Sequence, residues 1–378
     1  MKFPKQVLFA GSILLLLAAC SEPAPGGKAE PAKTAAAEAS ANTPAPEPVS
    51  LLNIQAAEMT TIDPSISPVA GPVDKAVWSA EPVTPEARRN AMLRAQVLLA
   101  RAHFSPGVID GQDGGNVKNA IAAFETAHGL PADGVMDDQV WAALAKDEQP
   151  VLTDYVIAPD DVKGPFVAKI PTDMVELAKL PAIGFTSPVE ALAEKFHMDE
   201  ALLKTLNPGA DFGTAGTKIV VAALGADRLP ATVARLEVDK ARRQIRAYGD
   251  GEVLLAVYPA TVGSSERPAP EGEWAVRTTA PNPTYTYDPS RLTFGKASQG
   301  KLTIKAGPNN PVGSTWIDLT KDTYGIHGTP DPRLVGKTAS HGCVRLTNWD
   351  VRQLSLAVKK GTRVDFVGVE QPAAPGKG

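Results

Sequence analysis

A change of pattern near residue 230 constrains the fold most. Before it, apolar residues recur at helical spacing, whereas after it they fall in short runs divided by Gly, Pro, Asn and Asp. Two such runs flank Gly249-Asp250-Gly251, which indicates a β-hairpin. The other strand-like runs are 272–279, 301–307, 313–319, 323–329 and 361–368. Strands this short and this closely spaced predict a mainly antiparallel β-sandwich or barrel over residues 229–370.

One helix interrupts the predicted strands. Val351, Leu354 and Val358 share one helical face, and Asn348 is the predicted N-cap. The last residues, 371–378, are rich in Pro and Gly, and we expect a flexible tail there.

A small three-helix domain is predicted for residues 81–149. Gly- and Asp-rich sequence separates its first two helices, and Asp137 or Asp138 is the expected N-cap of the third. The apolar positions at helical spacing are Leu93, Val97 and Ala100, then Val117, Ile121 and Phe124, then Val140 and Leu144.

Residues 150–228 predict a small α+β region. Two short helical patterns are followed by Asn207-Pro208-Gly209 and by a strand at 219–222. The stretch 155–182 looks inserted between a first strand and the first of these helices.

The N-terminus has the pattern of an export signal. Lys2 and Lys5 precede an apolar run, 7–17, which is too short to span a bilayer as a helix. Residues 1–19 are therefore the predicted signal peptide. Residues 20–80 are the predicted linker, because six prolines and nine alanines fill half of 21–50 and such a composition cannot build a core.

Composition limits the classes of function. The formal net charge is −4, which argues against nucleic-acid binding because phosphate contacts need clustered Lys and Arg. Neither His103 nor His128 has metal-ligand spacing, and we expect no metal or other cofactor.

The sequence "LAAC" at 17–20 resembles the cleavage site of bacterial lipoproteins. That resemblance implies cleavage before Cys20 and acylation of its thiol, although an ordinary signal peptide with an incidental cysteine is the alternative. It also implies a periplasmic protein that is anchored to a membrane, with Ser21 favouring the outer over the inner membrane. Lipidation would leave Cys343, the other of two cysteines, without a partner in an oxidising compartment. Such a thiol is either reactive or buried and inert.

Histidines near Cys343 favour reactivity. A free thiol has a pKa of about 8.5, so it needs a base near neutral pH, and an imidazole can stabilise the thiolate as an ion pair. His341 lies two residues before Cys343, and His327 ends a predicted strand sixteen residues before it. Gly342 would admit a substrate carbonyl close to the N–H groups of residues 342 and 343, which predicts an oxyanion hole, unless it is only a turn glycine.

Two segments before residue 230 resemble wall-binding modules. "GVIDG" and "FETAHGLPADGV" are similar to the three-helix peptidoglycan-binding module, and an unrelated helical domain is the alternative. "LLKTLNPG" and "AGTKIVV" resemble a LysM glycan-binding repeat, but its usual opening is altered and 155–182 is inserted. Glycan binding and a degenerate structural role both remain open for this region.

The pattern "HGT…SHGCVRLTNWD" closely resembles the L,D-transpeptidase (YkuD-type) family over residues 230–370. The resemblance implies that Cys343 is the nucleophile and His327 the general base, with its second nitrogen held by the carbonyl of Gly328. It leaves His341 as a pocket residue and the rival base. The candidate substrate-binding residues are Arg345, Ser340 and Thr329; Arg345 either fixes the loop or meets a substrate carboxylate, and Ser340 serves the local turn.

The resemblance implies acylation of the cysteine by a tetrapeptide stem at diaminopimelate, release of D-alanine, and transfer to an amine. The acceptor is a second stem, giving a 3→3 cross-link, or a protein lysine. Three alternatives remain: an L,D-carboxypeptidase on the same scaffold, a zinc hydrolase, and a non-catalytic wall-binding lipoprotein. The expected partners are stem peptides, glycan and a membrane. We also expect a substrate lid at 281–300, which is rich in aromatic and loop-forming residues.

Overall fold

The structure is a computed structural model that describes residues 67–81, 83–263, 268–290, 300–338 and 342–370. The predicted signal peptide, Cys20, most of the linker and the tail lie outside these ranges, as do Ser340 and His341. Within the described ranges, no helix combines the length and the apolar character that crossing a bilayer requires.

The first described region is helical. Its helices are α1 (Ala70–Asp74), α2 (Pro85–Arg101), α3 (Gly115–His128) and α4 (Asp138–Leu144). Thr84 caps α2 just before the N1 proline, and Asp137 rather than Asp138 caps α4 by accepting from the N–H of Val140. The predicted apolar faces are buried, except that Ala100 is only partly covered.

The folded part begins earlier than the predicted linker allows. Ala70 and Val73 of α1 are fully buried and pack in the same core as α2, ten and seven residues before the expected boundary at 80. The Pro/Ala-rich composition that predicts an extended chain ends before these residues, so the linker boundary was placed too late.

The second region has an α+β arrangement. It contains β1 (Leu152–Val156), α5 (Met174–Lys179), α6 (Pro188–Lys195), α7 (Glu200–Leu206) and β2 (Lys218–Ala222), with β1 and β2 antiparallel. Buried Asn207 joins α7 to β2, since its amide donates to Leu203 O at 2.9 Å and to Val220 O at 2.7 Å. The predicted helices and the predicted strand are present, and α5 occupies the inserted stretch. Apolar side chains of this region and of α2 to α4 form one continuous core.

The third region is built on one mixed sheet. Its strands are β3 (Arg235–Asp239), β4 (Gln244–Tyr248), β5 (Leu254–Pro259), β6 (Gly272–Pro281), β7 (Tyr285–Tyr287), β8 (Leu302–Ile304), β9 (Thr315–Leu319), β10 (Gly325–His327), β11 (Val344–Arg345) and β12 (Arg363–Val367). Eight of them form a sheet in the order β11-β10-β9-β6-β12-β3-β4-β5, and β7 pairs with β8 as a separate hairpin.

The prediction of a mainly antiparallel sandwich or barrel is corrected to a curled mixed sheet, in which most neighbouring pairs are antiparallel. Two neighbouring pairs, β12–β3 and β10–β11, are parallel. Short alternating runs reveal strands but not their direction, which is why the sequence pattern missed this. The sheet curls far enough that Thr261, just after β5, exchanges two backbone hydrogen bonds of 2.9 Å with Arg345 on β11, at the opposite edge.

Helix α8 (Asn348–Ala357) covers one side of this sheet and starts directly after β11. Val351 and Leu354 are buried as predicted, but the N-cap is Thr347 rather than Asn348. The Thr347 hydroxyl accepts from the N–H of Asp350 at 3.1 Å, which leaves the Asn348 side chain available for other contacts.

The helical region docks directly on the sheet region. Ser105 donates its N–H to Val257 O on β5 at 2.8 Å, and its hydroxyl donates to a carboxylate oxygen of Asp350 on α8 at 3.0 Å. Asp350 is 5% exposed. Burial raises the pKa of Asp350 to about 7, although hydrogen bonds with Thr347 and Ser105 oppose this shift.

Asp350→Asn tests this buried carboxyl group. A folded-state pKa of about 7, against an ordinary value of 3.8, means that the folded state holds a proton that the unfolded state has lost between these pH values. The wild type therefore loses stability as pH rises through this window, whereas the amide does not titrate. We expect the free energy of unfolding of Asp350→Asn, relative to wild type, to rise by a few kcal/mol from pH 4 to pH 8, since one pKa unit is worth about 1.4 kcal/mol. Urea unfolding at both pH values measures this, and an equal difference at both would contradict it.

Candidate active site

The parallel pairing of β10 with β11 brings the predicted nucleophile and base together. Ile326 pairs with Val344 and His327 with Arg345, so Cys343 follows in register opposite Gly325. Paired residues on neighbouring strands share a face, and residues two apart on one strand share a face as well. His327, Arg345 and Cys343 therefore project from the same side of the sheet.

His327 is held in one orientation. Its Nδ1 lies 2.7 Å from the carbonyl oxygen of Gly328, and its ring stacks on Trp316 of β9 at 5.4 Å between centroids. Because a carbonyl only accepts, Nδ1 carries the hydrogen and Nε2 of the neutral ring is a free base. The hydrogen bond to Gly328 is the one that the family resemblance implied.

Burial keeps this imidazole neutral. His327 is 4% exposed, and its desolvation lowers its pKa to about 3, an effect that the positive charge of Arg345 reinforces and the bond to Gly328 opposes. Protonation would place a second cation beside Arg345 in a site with little water. The ring therefore stays uncharged at neutral pH.

The thiol of Cys343 is also favoured in its neutral form. Burial raises its pKa, against smaller opposing effects from a backbone hydrogen bond with Gly325 and from the charge of Arg345. Its Sγ lies 3.8 Å from the carbonyl oxygen of Thr323. The sequence suggested a thiolate–imidazolium ion pair, and the structure instead favours a neutral thiol beside a neutral imidazole.

Arg345 is the cation of this site. Its charge lowers the pKa of both Cys343 and His327, while its own backbone is fixed by the pair of bonds to Thr261. The negative forms of Cys343 and Tyr285 would in turn raise the pKa of Arg345, which burial lowers. Arg345 is thus placed to stabilise negative charge near the thiol, and its backbone on β11 is fixed by Thr261.

Gly342 has a backbone that only glycine adopts easily. Its φ is +114°, and an added Cβ would lie 3.1 Å from Cε1 of Tyr324. The predicted room for a substrate is therefore bounded on one side by the Tyr324 ring. Thr329 is 8% exposed and accepts from the N–H of Asp331 at 3.3 Å, a local turn contact.

The predicted lid, 281–300, contains β7, which pairs with β8 just beyond it. Tyr285 on β7 lies close enough to Cys343 and Arg345 for their charges to affect its pKa, which burial raises. On β8, Ile304 is fully buried in a small cluster with Leu177 and Ile183, which belong to the second region. Residues 291–299 lie outside the described residues.

Sequence reasoning missed two residues near the site, Asn348 and Glu194. Asn348 was assigned only a capping role, and it instead reaches the backbone of Gly328. Glu194 lies 154 residues away in the chain, on α6, and no local pattern signals its contact with Asn348. Among the residues that the structure describes, no group of three His, Cys, Asp or Glu side chains is arranged to hold a metal ion.

Two family models match the chain. The "L,D-transpeptidase catalytic domain" model matches residues 234–366, and the "Putative peptidoglycan binding domain" model matches residues 88–144. These spans correspond to the curled sheet with α8 and to the α2–α4 helices.

Curated relatives match about half of this chain. "Putative L,D-transpeptidase YkuD" of Bacillus licheniformis is 32% identical over 181 residues, which are 47% of this chain and 92% of that protein. "Probable L,D-transpeptidase YbiS" of Escherichia coli K12 is 30% identical over 49% of this chain and 61% of that protein. Among solved structures, an L,D-transpeptidase from Mycobacterium smegmatis is 20% identical with a TM-score of 0.29, over 41% of this chain and 65% of that one. The identity to the Bacillus protein across nearly its whole length shows that this chain belongs to the L,D-transpeptidase (YkuD) family.

Proposed function

We propose that this protein is a cysteine-dependent peptidoglycan L,D-transpeptidase in which Cys343 is the nucleophile and His327 the base. One observation carries the proposal: the bond from Nδ1 of His327 to Gly328 O leaves Nε2 as a base, on the strand next to Cys343 and on the same face. Membership of the family supports the reaction class, and the geometry of His327 and Cys343 supports the roles proposed for them.

The neutral pair implies that proton transfer accompanies attack. Sγ of Cys343 bonds to the carbonyl carbon at the L-centre of diaminopimelate while its proton moves to Nε2 of His327. The bond to D-alanine breaks, and the leaving amine takes that proton. The acceptor amine then attacks the thioester, the carbon–sulfur bond breaks, and a proton returns to the thiol through His327.

The developing oxyanion needs hydrogen-bond donors. The backbone N–H groups of Gly342 and Cys343 are the candidates, and Arg345 adds positive charge nearby. Tyr285 on the β7–β8 hairpin would close over the acyl group from the other side. His341 is a further candidate for this pocket and the rival base.

The other regions fit a protein that works on the wall. The helical region, through its peptidoglycan-binding family, would hold glycan or stem peptides near Cys343. The α+β region would either add LysM-like glycan contacts or serve a structural role. We also propose lipidation at Cys20 and a periplasmic location on the outer membrane. A protein lysine is the second candidate acceptor.

The alternative is an L,D-carboxypeptidase, in which water resolves the thioester. The two outcomes are separated by incubating the protein with purified muropeptides that carry tetrapeptide stems. Mass spectrometry then distinguishes dimeric from monomeric products. We expect wild type to release D-alanine and to form 3→3 cross-linked dimers. Trimmed monomers alone would contradict transfer, and loss of activity with a strong chelator would favour the zinc hydrolase instead.

Replacement of the site residues tests their roles. Cys343→Ala removes the nucleophile, and we expect no product and no thioester adduct. His327→Ala removes the base, and we expect a loss of at least about a hundredfold in kcat. Activity retained in Cys343→Ala would favour a non-catalytic wall-binding protein. If His341→Ala abolishes acylation while His327→Ala does not, the base is assigned to the wrong histidine.

The ionisation of the thiol gives a separate prediction. In a Cys20→Ser background Cys343 is the sole thiol, and burial raises its pKa. We therefore expect its rate of alkylation by iodoacetamide to increase with pH to a midpoint above that of free cysteine. Arg345→Gln should move the midpoint higher, because the charge of Arg345 lowers this pKa. Arg277→Gln on β6, which pairs with Asp318 and Asp322, is the charge-matched control and should leave it unchanged. A wild-type midpoint below that of free cysteine would instead support the ion pair.

A further inference from the structure

The side-chain oxygen of Asn348 is seated against the backbone that holds His327. It accepts from the N–H of Ser314 at 3.0 Å. An added Cβ would lie 2.0 Å from this oxygen at Gly328 and 2.1 Å from it at Gly313. The Asn348 side chain therefore lies against the backbone of Gly328, whose carbonyl accepts from Nδ1 of His327.

The side-chain nitrogen of Asn348 is held from another region of the protein. It donates to both carboxyl oxygens of Glu194 on α6, at 3.0 and 3.1 Å, and to Pro308 O at 3.1 Å. Asn348 is 3% exposed, so each of its polar atoms needs a partner within the protein.

We propose that Glu194 is a positioning residue for the catalytic histidine, acting through Asn348 and the backbone of Gly328. This inference rests on the proposed function only in taking His327 as the base. Glu194 lies outside the residues matched by either family model, on a helix of the α+β region. The α+β region is thereby assigned a part in catalysis that does not depend on glycan binding.

Glu194 can set the orientation of Asn348 because the side-chain amide has an accepting oxygen at one end and a donating nitrogen at the other. With Glu194 accepting on one side, the nitrogen of Asn348 faces the carboxyl group and the oxygen faces the N–H of Ser314. Without that acceptor only Pro308 O fixes the nitrogen, and rotation of the amide would set an NH₂ group against the N–H of Ser314. A Cβ at Gly313 or Gly328 would overlap this oxygen, so the two glycines leave the space that it occupies.

Burial of the Glu194 carboxyl group supports a tight contact. Desolvation raises its pKa to about 8, with Glu190 adding to the effect and the hydrogen bond from Asn348 opposing it. A neutral carboxylic acid and an amide present the same acceptor oxygen to Asn348, so Glu194→Gln should preserve the contact.

Four variants of the full chain test the proposal through turnover. Glu194→Ala removes the acceptor, and Glu194→Asp withdraws it by one methylene while keeping the carboxyl group. For both we expect kcat to fall by about tenfold to a hundredfold with KM within about twofold, because a small displacement of a catalytic group is costly. Glu194→Gln should retain at least half of the wild-type kcat. Glu200→Ala on α7, a partly exposed carboxylate that pairs with Lys204, is the control and should leave kcat unchanged.

A second measurement does not require turnover. In protein labelled with ¹⁵N-histidine, the ring shifts of His327, assigned by loss of the signal in His327→Gln, report which nitrogen carries the hydrogen. We expect the Nδ1–H form in wild type and Glu194→Gln, and a mixture of tautomers in Glu194→Asp and Glu194→Ala. Asn348→Ala should produce the same mixture, and adding Glu194→Ala to it should have no further effect, because both act through one contact.

The outcomes separate this inference from the proposed function. Wild-type shifts and kcat in Glu194→Asp and Glu194→Ala, even with a lower melting temperature, would overturn the positioning role. The predicted tautomer changes in a protein without transpeptidase activity would support the positioning role and overturn the proposed function. An equal loss of kcat in Glu200→Ala would assign the effect to the charge of the region and overturn the role of the contact.

Discussion

The parallel pairing of β10 with β11 is the constraint on which the site depends. A parallel pair cannot be joined by a tight turn and needs a crossover of a dozen or more residues. The chain between His327 and Cys343 is that crossover, which accounts for their separation in sequence. The same pairing makes β11 an edge strand, and the bonds between Thr261 and Arg345 hold this edge against the far end of the curled sheet.

Desolvation then sets the electrostatics of the site. One buried environment lowers the pKa of His327 and raises that of Cys343, so it disfavours charge on both partners. The charge of Arg345 lowers both pKa values. It therefore adds to the effect of burial at His327, where it disfavours imidazolium, and opposes it at Cys343, where it favours thiolate. Under the proposed function, the neutral thiol of Cys343 and the neutral ring of His327 become charged when the substrate is attacked rather than before, and Arg345 supplies positive charge nearby.

The sequence was sufficient for the local parts of this arrangement. The motif around His327 and Cys343 predicted the bond from His327 to Gly328 O, and helical spacing predicted α2, α3 and α4. The catalytic roles of the two residues stay predictions. It was insufficient where partners are distant in the chain. Period-two runs do not encode strand direction, so β10–β11 and β12–β3 were not recognised as parallel. Asn348 looked like an N-cap because its residue type suits one, although neighbouring Thr347 performs that role.

The side chains of α8 could not be interpreted from the local sequence because their partners lie in distant parts of the chain. Four successive or nearly successive side chains contact regions outside the catalytic sheet: Asn348 binds Glu194, Trp349 stacks on His197 at 4.8 Å, Asp350 accepts from Ser105, and Arg352 pairs with Asp227. The spacing of these residues reflects a docking face, whereas Val351 and Leu354 pack on the sheet.

Because α8 begins three residues after Arg345, the same short segment carries the site and the contacts to the α+β and helical regions. These regions therefore have a fixed orientation relative to Cys343. Under the proposed function, a glycan strand bound by the helical region would therefore approach the thiol in a defined direction.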